Sequence, residues 1–281
     1  MLAIIGGSGF YYLGRDIEKI DVITPFGHAT VHKAKLHNDE EILFVPRHGD
    51  DHSIPPHRVN YRANIYAIRK LGATTAFATY AAGILNDYKV GDLIMLEDFI
   101  GLFIQQQSFF NDLPIRSPQP KGSGFMTEGQ SCVNSALLHK LKTSGFRAEL
   151  THDFSSGMKH TNMNEPFDKE LQKAIIEIAA VDKIKIKKNG VIVTTPGPRF
   201  ESKAEIAFLK KTGANLVNMT SAYEIALMRE LEMPFAALAI ATNYGAGLSK
   251  KAPSAEEVLE QTNKARDKIN VILNQLVDFV E

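Results

Sequence analysis

One stretch decides the fold of this chain: residues 191–245, VIVTTPGPRFESKAEIAFLKKTGANLVNMTSAYEIALMRELEMPFAALAIATNYG. Short apolar runs that suit buried strands alternate there with amphipathic segments that suit helices. The predicted strands cover residues 191–195, 214–219 and 235–243, and the predicted helices cover residues 201–212 and 222–231. This alternation is typical of βαβ units, so we predict an α/β fold with a largely parallel or mixed sheet.

The rest of the chain extends the same pattern. We expect strands at residues 4–5, 28–36, 42–45, 73–82 and 93–104, helices at 59–71, 133–144, 168–180 and from Glu256 onward, and a surface loop or lid at 111–129. Ser254 and Glu257 form a capping-box pattern before the last helix. The apolar face of that helix is predicted to carry Val258, Ala265, Ile269, Ile272 and Leu276. No break in composition divides the chain, so we predict a single domain over residues 1–281.

The composition excludes several classes of protein. Of the 281 residues 44% are hydrophobic, which is enough for a full core and far above disordered compositions. Thirty-two basic and 32 acidic residues give zero net charge and no basic footprint for nucleic acid or anionic lipid. The single cysteine, Cys132, cannot form an internal disulfide. Without the features of a signal peptide or a bilayer-length apolar run, the sequence predicts a cytoplasmic protein that handles a small molecule.

Two glycine-containing segments that follow predicted strands are candidate anion sites. In Gly6-Gly7-Ser8-Gly9, backbone N–H groups and the Ser8 hydroxyl can converge on an anion, although a plain tight turn fits the same residues. After residues 42–45 come Arg47 and His48, which suit a phosphate or carboxylate because a guanidinium matches such oxygens. A loop of solvated charge is the alternative for this second segment.

A metal site is a further reading of the histidines between His28 and His57. His48 and His52 would share a face only on a helix, and Gly49 and the prolines that follow oppose a helix. We therefore predict no metal.

Two segments in the C-terminal third also carry polar residues where strands end. In residues 194–201, Phe200 could stack on a planar ligand, and Glu201 could contact that ligand or only complement a helix dipole. The other segment contains Met219 and Thr220, and Asn243 ends the next strand. Ligands of open α/β sheets bind beyond the carboxyl ends of strands, although neighbouring groups of the fold could equally satisfy the amide of Asn243.

Together these motifs resemble the trimeric purine nucleoside phosphorylase and methylthioadenosine phosphorylase family. The resemblance spans nearly the whole chain. Its most specific pieces are Ile4-Ile5-Gly6-Gly7-Ser8-Gly9, Arg47-His48-Gly49 with His52, Val59-Asn60-Tyr61-Arg62-Ala63-Asn64-Ile65, Ala81-Ala82-Gly83, Val90-Gly91-Asp92, Gly197-Pro198-Arg199-Phe200 and Asn218-Met219-Thr220. The family fold is a central mixed, partly barrel-like sheet flanked by helices. Its reaction is cleavage of a purine nucleoside by inorganic phosphate, without a metal or organic cofactor.

The resemblance also implies roles for individual residues. The phosphate site is expected to contain Ser8, Arg47, His48, Ala81 through its backbone, and Thr220. The base and ribose site is expected to contain Ala82, Gly83, Phe200, Glu201, Met219, Asn243 and Ala255. His160 resembles the residue that a neighbouring subunit lends to the 5′ end of the sugar, which implies a homotrimer. Asn243, Glu201 and His48 are the expected catalytic residues.

The pair Glu201 and Asn243 resembles the pair of the 6-oxopurine branch. A 6-oxopurine presents N1–H as a donor to the Glu201 carboxylate. N1 of adenine is an acceptor instead, so its lone pair would face a lone pair of that carboxylate. Asn243 can donate its amide toward N7 or O6. A mismatch would leave buried polar groups unpaired, so we expect inosine-type rather than adenosine-type bases.

The sugar end resembles the methylthioadenosine branch instead. Ala255 stands where nucleoside phosphorylases of the other branch place a histidine for the 5′-hydroxyl, and an apolar pocket suits a methylthio group. The combination predicts 5′-methylthioinosine as substrate. The alternatives are an inosine or guanosine phosphorylase, a methylthioadenosine phosphorylase, and a catalytically weak nucleoside-binding protein. Two departures from the family bear on the site: Tyr80 replaces Asn or Thr beside the phosphate, and Tyr223 replaces Pro before Glu224.

Overall fold

The computed structural model describes residues 1–7, 9, 14–36, 39–110 and 160–280. The chain divides into two compact units, Met1–Gln107 with Thr161–Glu281, and Ser108–His160. Ser8, Cys132, the predicted loop 111–129 and the predicted helix 133–144 lie outside the described residues. The single domain over 1–281 stays a prediction.

The first unit is built on a sheet with nine strands in its described part. They are β1 (Leu2–Gly6), β2 (Arg15–Thr24), β3 (Gly27–Lys35), β4 (Glu41–Pro46), β5 (Thr75–Ile84), β6 (Leu93–Ile100), β7 (Ile186–Thr194), β8 (Leu216–Asn218) and β9 (Phe235–Tyr244). The strand order is β2-β3-β4-β1-β5-β8-β7-β6-β9, and β9 also pairs with β5. Strands β5, β8, β7, β6 and β9 therefore close on themselves, while the other four extend from β5.

The sheet is mixed. Strand β1 runs parallel to β4 and β5, and β5 runs parallel to β9, whereas β5 and β8 are antiparallel. Strands β5 and β9 are covered on both faces, which is why their sequences are continuously apolar and rich in alanine. The predicted α/β fold with a mixed, partly closed sheet is confirmed.

Five helices of the described chain flank this sheet. They are α1 (Tyr61–Lys70), α2 (Lys169–Val181), α3 (Lys203–Leu209), α4 (Ser221–Glu230) and α5 (Ala255–Val280). Short polar side chains begin most of them, since such residues accept hydrogen bonds from the unpaired N–H groups of the first turn. Asn60 caps α1, Asp168 caps α2, Ser202 caps α3, and the Ser254 hydroxyl accepts from the N–H of Glu257 at the start of α5.

Helix α5 covers the sheet with most of the predicted apolar face. Ala265, Ile269, Ile272 and Leu276 are buried in the same core cluster as the strand residues Ile4 and Phe77 and the α2 residue Ile175. Val258, which was predicted on that face, instead lines a cavity. No helix in the part of the chain that the structure describes is both long and apolar enough to cross a bilayer.

One strand was missed, and the boundaries of β6 and α3 differ from those expected. Strand β2 was missed because most of its residues are exposed and many are charged, as is usual at the edge of a sheet. Strand β6 ends at Ile100 rather than at residue 104. The helix predicted at 201–212 begins only at Lys203, because Ser202 and Glu205 form a reciprocal capping box. Glu201 therefore precedes the helix and is not a charge in its first turn.

Candidate functional site

The carboxyl ends of several strands surround one cavity of about 470 Å³. Residues at or just beyond the ends of β1, β4, β5, β8 and β9 line it, namely Gly7, Arg47, His48, Ala81, Gly83, Asn218, Met219, Thr220, Thr242 and Asn243. Pro198, Phe200 and Glu201 add a further wall from the turn after β7. The volume suits a small molecule of nucleoside size.

Arg47 supplies a buried positive charge at one end of the cavity. Its side chain is 2% exposed, and its Nε and Nη2 atoms donate to the Glu224 carboxylate at 2.6 and 2.8 Å. Its Nη1 donates to the carbonyl of Thr79 at 3.1 Å. Burial alone would lower the pKa of Arg47, but the pair with Glu224 raises it above the usual value, so the guanidinium is charged. Two of its five N–H groups remain for a ligand.

His48 is a neutral imidazole with a fixed tautomer. Its Nδ1 lies 2.7 Å from the carbonyl oxygen of Ile54, which can only accept, so Nδ1 carries the proton. Burial, together with the charge of Arg47, lowers the pKa of His48 from 6.5 to about 4. Because His48 lines the cavity with Nε2 unprotonated, it can accept a hydrogen bond from a protonated phosphate oxygen.

The N-terminus of α4 adds to the same end of the cavity. Thr220 is the N-cap residue and is buried, yet its side chain makes no capping hydrogen bond. Its hydroxyl and the positive end of the helix dipole are thus available to an anion in the cavity. The adjacent wall includes Gly7 and Ala81, so backbone groups of two strand ends complete the anion end.

A second part of the cavity presents an acceptor and a donor. Thr195 donates its hydroxyl to Glu201 Oε1 at 2.5 Å. The Thr242 hydroxyl lies 2.8 Å from Asn243 Oδ1, and Asn243 Nδ2 donates to the carbonyl of Tyr244 at 3.1 Å. These bonds fix both side chains and leave Glu201 as an acceptor and one N–H of Asn243 as a donor. We name this part the base end.

The remaining wall is largely apolar. It is formed by Pro56, Pro253, Ala255, Val258 and Leu259. Three of these residues lie on the first turns of α5, and Ala255 is the first residue of that helix. His52 and Glu256 are its polar neighbours in the lining. We name these five residues the apolar wall.

The cavity collects most of the residues predicted from the sequence. Arg47, His48, Ala81, Gly83, Phe200, Glu201, Met219, Thr220, Asn243 and Ala255 all line it. Ala82 does not line it; its carbonyl oxygen lies 3.2 Å from the Thr242 hydroxyl oxygen. His160 is exposed and belongs to the second unit, and Ser8 lies outside the described residues.

The sequence did not reveal the groups that hold the site residues in place. Glu224 pairs with Arg47 across 177 positions of the chain, and Thr195 and Thr242 orient Glu201 and Asn243. The one local signal was the retained Glu224 at the start of α4. Tyr80, one of the two departures from the family pattern, is 1% exposed and does not line the cavity.

Among the described residues no group of three or more His, Cys, Asp or Glu side chains could hold a metal ion. His48 and His52 approach each other with ring centroids 4.9 Å apart and inclined at 67°. His48 uses its Nδ1 on a backbone carbonyl, which is incompatible with metal binding through that atom.

Comparison with known proteins places the chain in a family. The model of the phosphorylase superfamily matches residues 1–278. The chain belongs to the phosphorylase superfamily. One superfamily relative is a "6-oxopurine nucleoside phosphorylase" of Pyrococcus furiosus, 34% identical over 97% of this chain and 90% of its own length. Another, of Methanopyrus kandleri, is named "Probable S-methyl-5'-thioinosine phosphorylase" and is 30% identical over 99% of this chain and 92% of its own length.

A solved phosphorylase has the same fold. The methylthioadenosine phosphorylase of Schistosoma mansoni in complex with adenine superposes with a TM-score of 0.79 and 29% identity, over 99% of this chain and 91% of that chain. The resemblance inferred from the sequence is therefore confirmed at the level of the family and of the fold.

Proposed function

We propose that this member of the phosphorylase superfamily cleaves the N-glycosidic bond of a 6-oxopurine nucleoside with inorganic phosphate as co-substrate. The preferred nucleoside is 5′-methylthioinosine, and the products are hypoxanthine and 5-methylthioribose 1-phosphate. The observation that carries this proposal is that one cavity combines the anion end, the base end and the apolar wall.

Phosphate is placed at the anion end, near Arg47, His48, Ala81 and Thr220. Departure of the base builds positive charge on the ribosyl ring, as in glycoside cleavage. A bound phosphate stabilises that charge and attacks C1′ from the face opposite the base. Ser8 is proposed as a further phosphate contact on the basis of the sequence alone.

Base recognition is placed at Glu201 and Asn243. The Glu201 carboxylate, held by Thr195, accepts from N1–H of a 6-oxopurine. The remaining N–H of Asn243 stabilises the electron density that enters the purine as the bond breaks, at N7 or O6. Phe200 packs on the base, and Met219 lies against the ribose. Adenine would present an acceptor to Glu201 and leave a polar pair unsatisfied.

The apolar wall supports the methylthio substituent. A thioether loses little on leaving water, whereas a 5′-hydroxyl without a partner there would remain unsatisfied. His52 and Glu256 also line the cavity, and they favour a second candidate, an inosine-type nucleoside with a 5′-hydroxyl. The relatives named for 6-oxopurine nucleosides agree with both candidates at the base end.

Measurements of kcat/KM on a panel of nucleosides separate these two candidate substrates. We expect kcat/KM to fall in the order methylthioinosine, inosine or guanosine, and methylthioadenosine, at saturating phosphate. If inosine leads the panel, the role given to the apolar wall is wrong. If methylthioadenosine leads, the role given to Glu201 and Asn243 is wrong.

We further propose a cytoplasmic homotrimer in which a neighbouring subunit supplies His160 to the 5′ end of the sugar. Light scattering is expected to give about three times the chain mass of 31.1 kDa. If neighbouring subunits share the site, mixing an inactive cavity variant with His160→Ala subunits should restore some activity. An active enzyme that is monomeric would contradict the proposal.

A further inference from the structure

Tyr80 joins the buried ion pair behind the anion end. Its hydroxyl donates to Glu224 Oε2 at 2.8 Å, the same oxygen that accepts Arg47 Nη2. The Arg47 Cζ atom lies over the Tyr80 ring, 4.6 Å from its centroid, so the ring also makes a cation–π contact with the guanidinium. One side chain thus contacts both members of the pair.

The arrangement leaves the opposite edge of Arg47 for the cavity. Arg47 lines the cavity and Tyr80 does not, although its neighbour Ala81 on β5 does. Tyr80 therefore stands behind the guanidinium, and Glu224 and Thr79 take three of the five N–H groups. One N–H on Nη1 and one on Nη2 remain.

The Tyr80 hydroxyl donates to one lone pair of Glu224 Oε2. Without this donor, that lone pair would compete with the phosphate for an N–H group of Arg47. Glu224 is 2% exposed, and a buried carboxylate oxygen accepts more than one donor. Without the Tyr80 hydroxyl, Oε2 would keep, among the described hydrogen bonds, only the one from Arg47 Nη2. Burial raises the pKa of Tyr80 well above its usual value, so the hydroxyl keeps its proton and remains a donor.

We propose that Tyr80 is a positioning residue for phosphate: it holds Glu224 and the plane of Arg47 so that two guanidinium N–H groups point to the bound phosphate. This inference rests on the proposed use of phosphate as co-substrate. Tyr80, one of the two departures from the family pattern, thereby affects the binding of phosphate and not the binding of the nucleoside.

The test compares Tyr80→Phe with Tyr88→Phe. Tyr88 is also buried and also donates one hydrogen bond, to the carbonyl of Lys188 at 2.8 Å, but it does not line or contact the cavity. For Tyr80→Phe we expect the KM for phosphate to rise about tenfold, the size of one hydrogen bond to a charged group. The KM for methylthioinosine should change less than about twofold and kcat less than about threefold. Tyr88→Phe should change neither KM.

A second readout does not depend on turnover. The rise of Tm with inorganic phosphate reports phosphate binding directly, and Tyr80→Phe should need about ten times more phosphate for the same rise. An unchanged phosphate KM, or an equal rise in both KM values, would overturn the role of Tyr80. If Tyr80→Phe does not fold, Glu224→Gln must raise the phosphate KM selectively. Wild-type protein that releases no base with phosphate would instead refute the proposed function.

Discussion

The anion end and the base end of the cavity are built in different ways. Arg47, Glu224 and Tyr80 are each no more than 2% exposed and are bonded to one another, whereas Phe200 at the base end is 39% exposed. At the base end Thr195 orients Glu201, and Thr242 together with the carbonyl of Tyr244 orients Asn243. The proposed phosphate site is thus part of the core, while the proposed nucleoside selection depends on a few separable side chains.

Because of this difference, substitutions at the base end and at the apolar wall should change specificity with little effect on folding. Substitutions among the three buried groups that are bonded to one another, Arg47, Glu224 and Tyr80, should change stability as well. The following experiments test that contrast.

The largest effect is expected for Glu201→Gln. The amide presents a neutral acceptor or a donor where the purine N1–H requires a carboxylate, so kcat/KM for methylthioinosine should fall roughly a hundredfold, corresponding to about 2–3 kcal/mol. Steady-state kinetics on purified protein measures it. Glu260→Gln, on the exposed surface of α5, is the control and should leave kcat/KM unchanged. A decrease smaller than about threefold would remove Glu201 from base recognition.

Replacement of Thr220 by valine should give the next effect. The Thr220 side chain makes no capping bond, so its loss should leave Tm nearly unchanged while the KM for phosphate rises about tenfold. Thr30→Val on β3, whose side chain does not line the cavity, is the control. If Tm falls while the phosphate KM stays constant, Thr220 has a structural role only.

Ala255→His should alter the sugar preference. The imidazole would add a hydrogen-bonding group to the apolar wall, so the ratio of kcat/KM for methylthioinosine to that for inosine should fall about tenfold. Ala252→His, three residues earlier and outside the cavity lining, serves as the matched variant. Equal ratios in the two variants would show that this wall does not contact the 5′ substituent.

The smallest expected effect at neutral pH is the contribution of His48 to the pH dependence of the free energy of unfolding. Its pKa is lowered by burial from 6.5 to about 4, so between these values the unfolded chain binds a proton that the folded chain does not. Stability should therefore decrease as the pH falls through this window, by up to about 3 kcal/mol from this group. Denaturant unfolding at pH 7 and at pH 4.5 measures the decrease. In His48→Asn, whose amide can still donate to Ile54, the decrease should be smaller; an identical decrease would assign it to other groups.

The sequence predicted the elements whose signals are local. The alternation over residues 191–245 gave β7, β8, β9, α3 and α4, and the strand-end motifs gave Arg47, His48, Glu201 and Asn243 at one cavity. Closure of the sheet, which forms through the β5–β9 pair, was expected only from the family resemblance, because pairing between distant strands leaves no local pattern. For the same reason the Arg47–Glu224–Tyr80 network was missed: Arg47 follows β4, Tyr80 lies on β5 and Glu224 lies on α4, so the three meet only after folding.

The most direct test of the central claim is release of hypoxanthine from methylthioinosine with and without inorganic phosphate. We expect release only when phosphate is present, with one phosphate consumed and one methylthioribose 1-phosphate formed for each hypoxanthine. Release at the same rate in phosphate-free buffer would mean hydrolysis. Tight nucleoside binding without release under either condition would mean a binding protein, and either result would contradict the account.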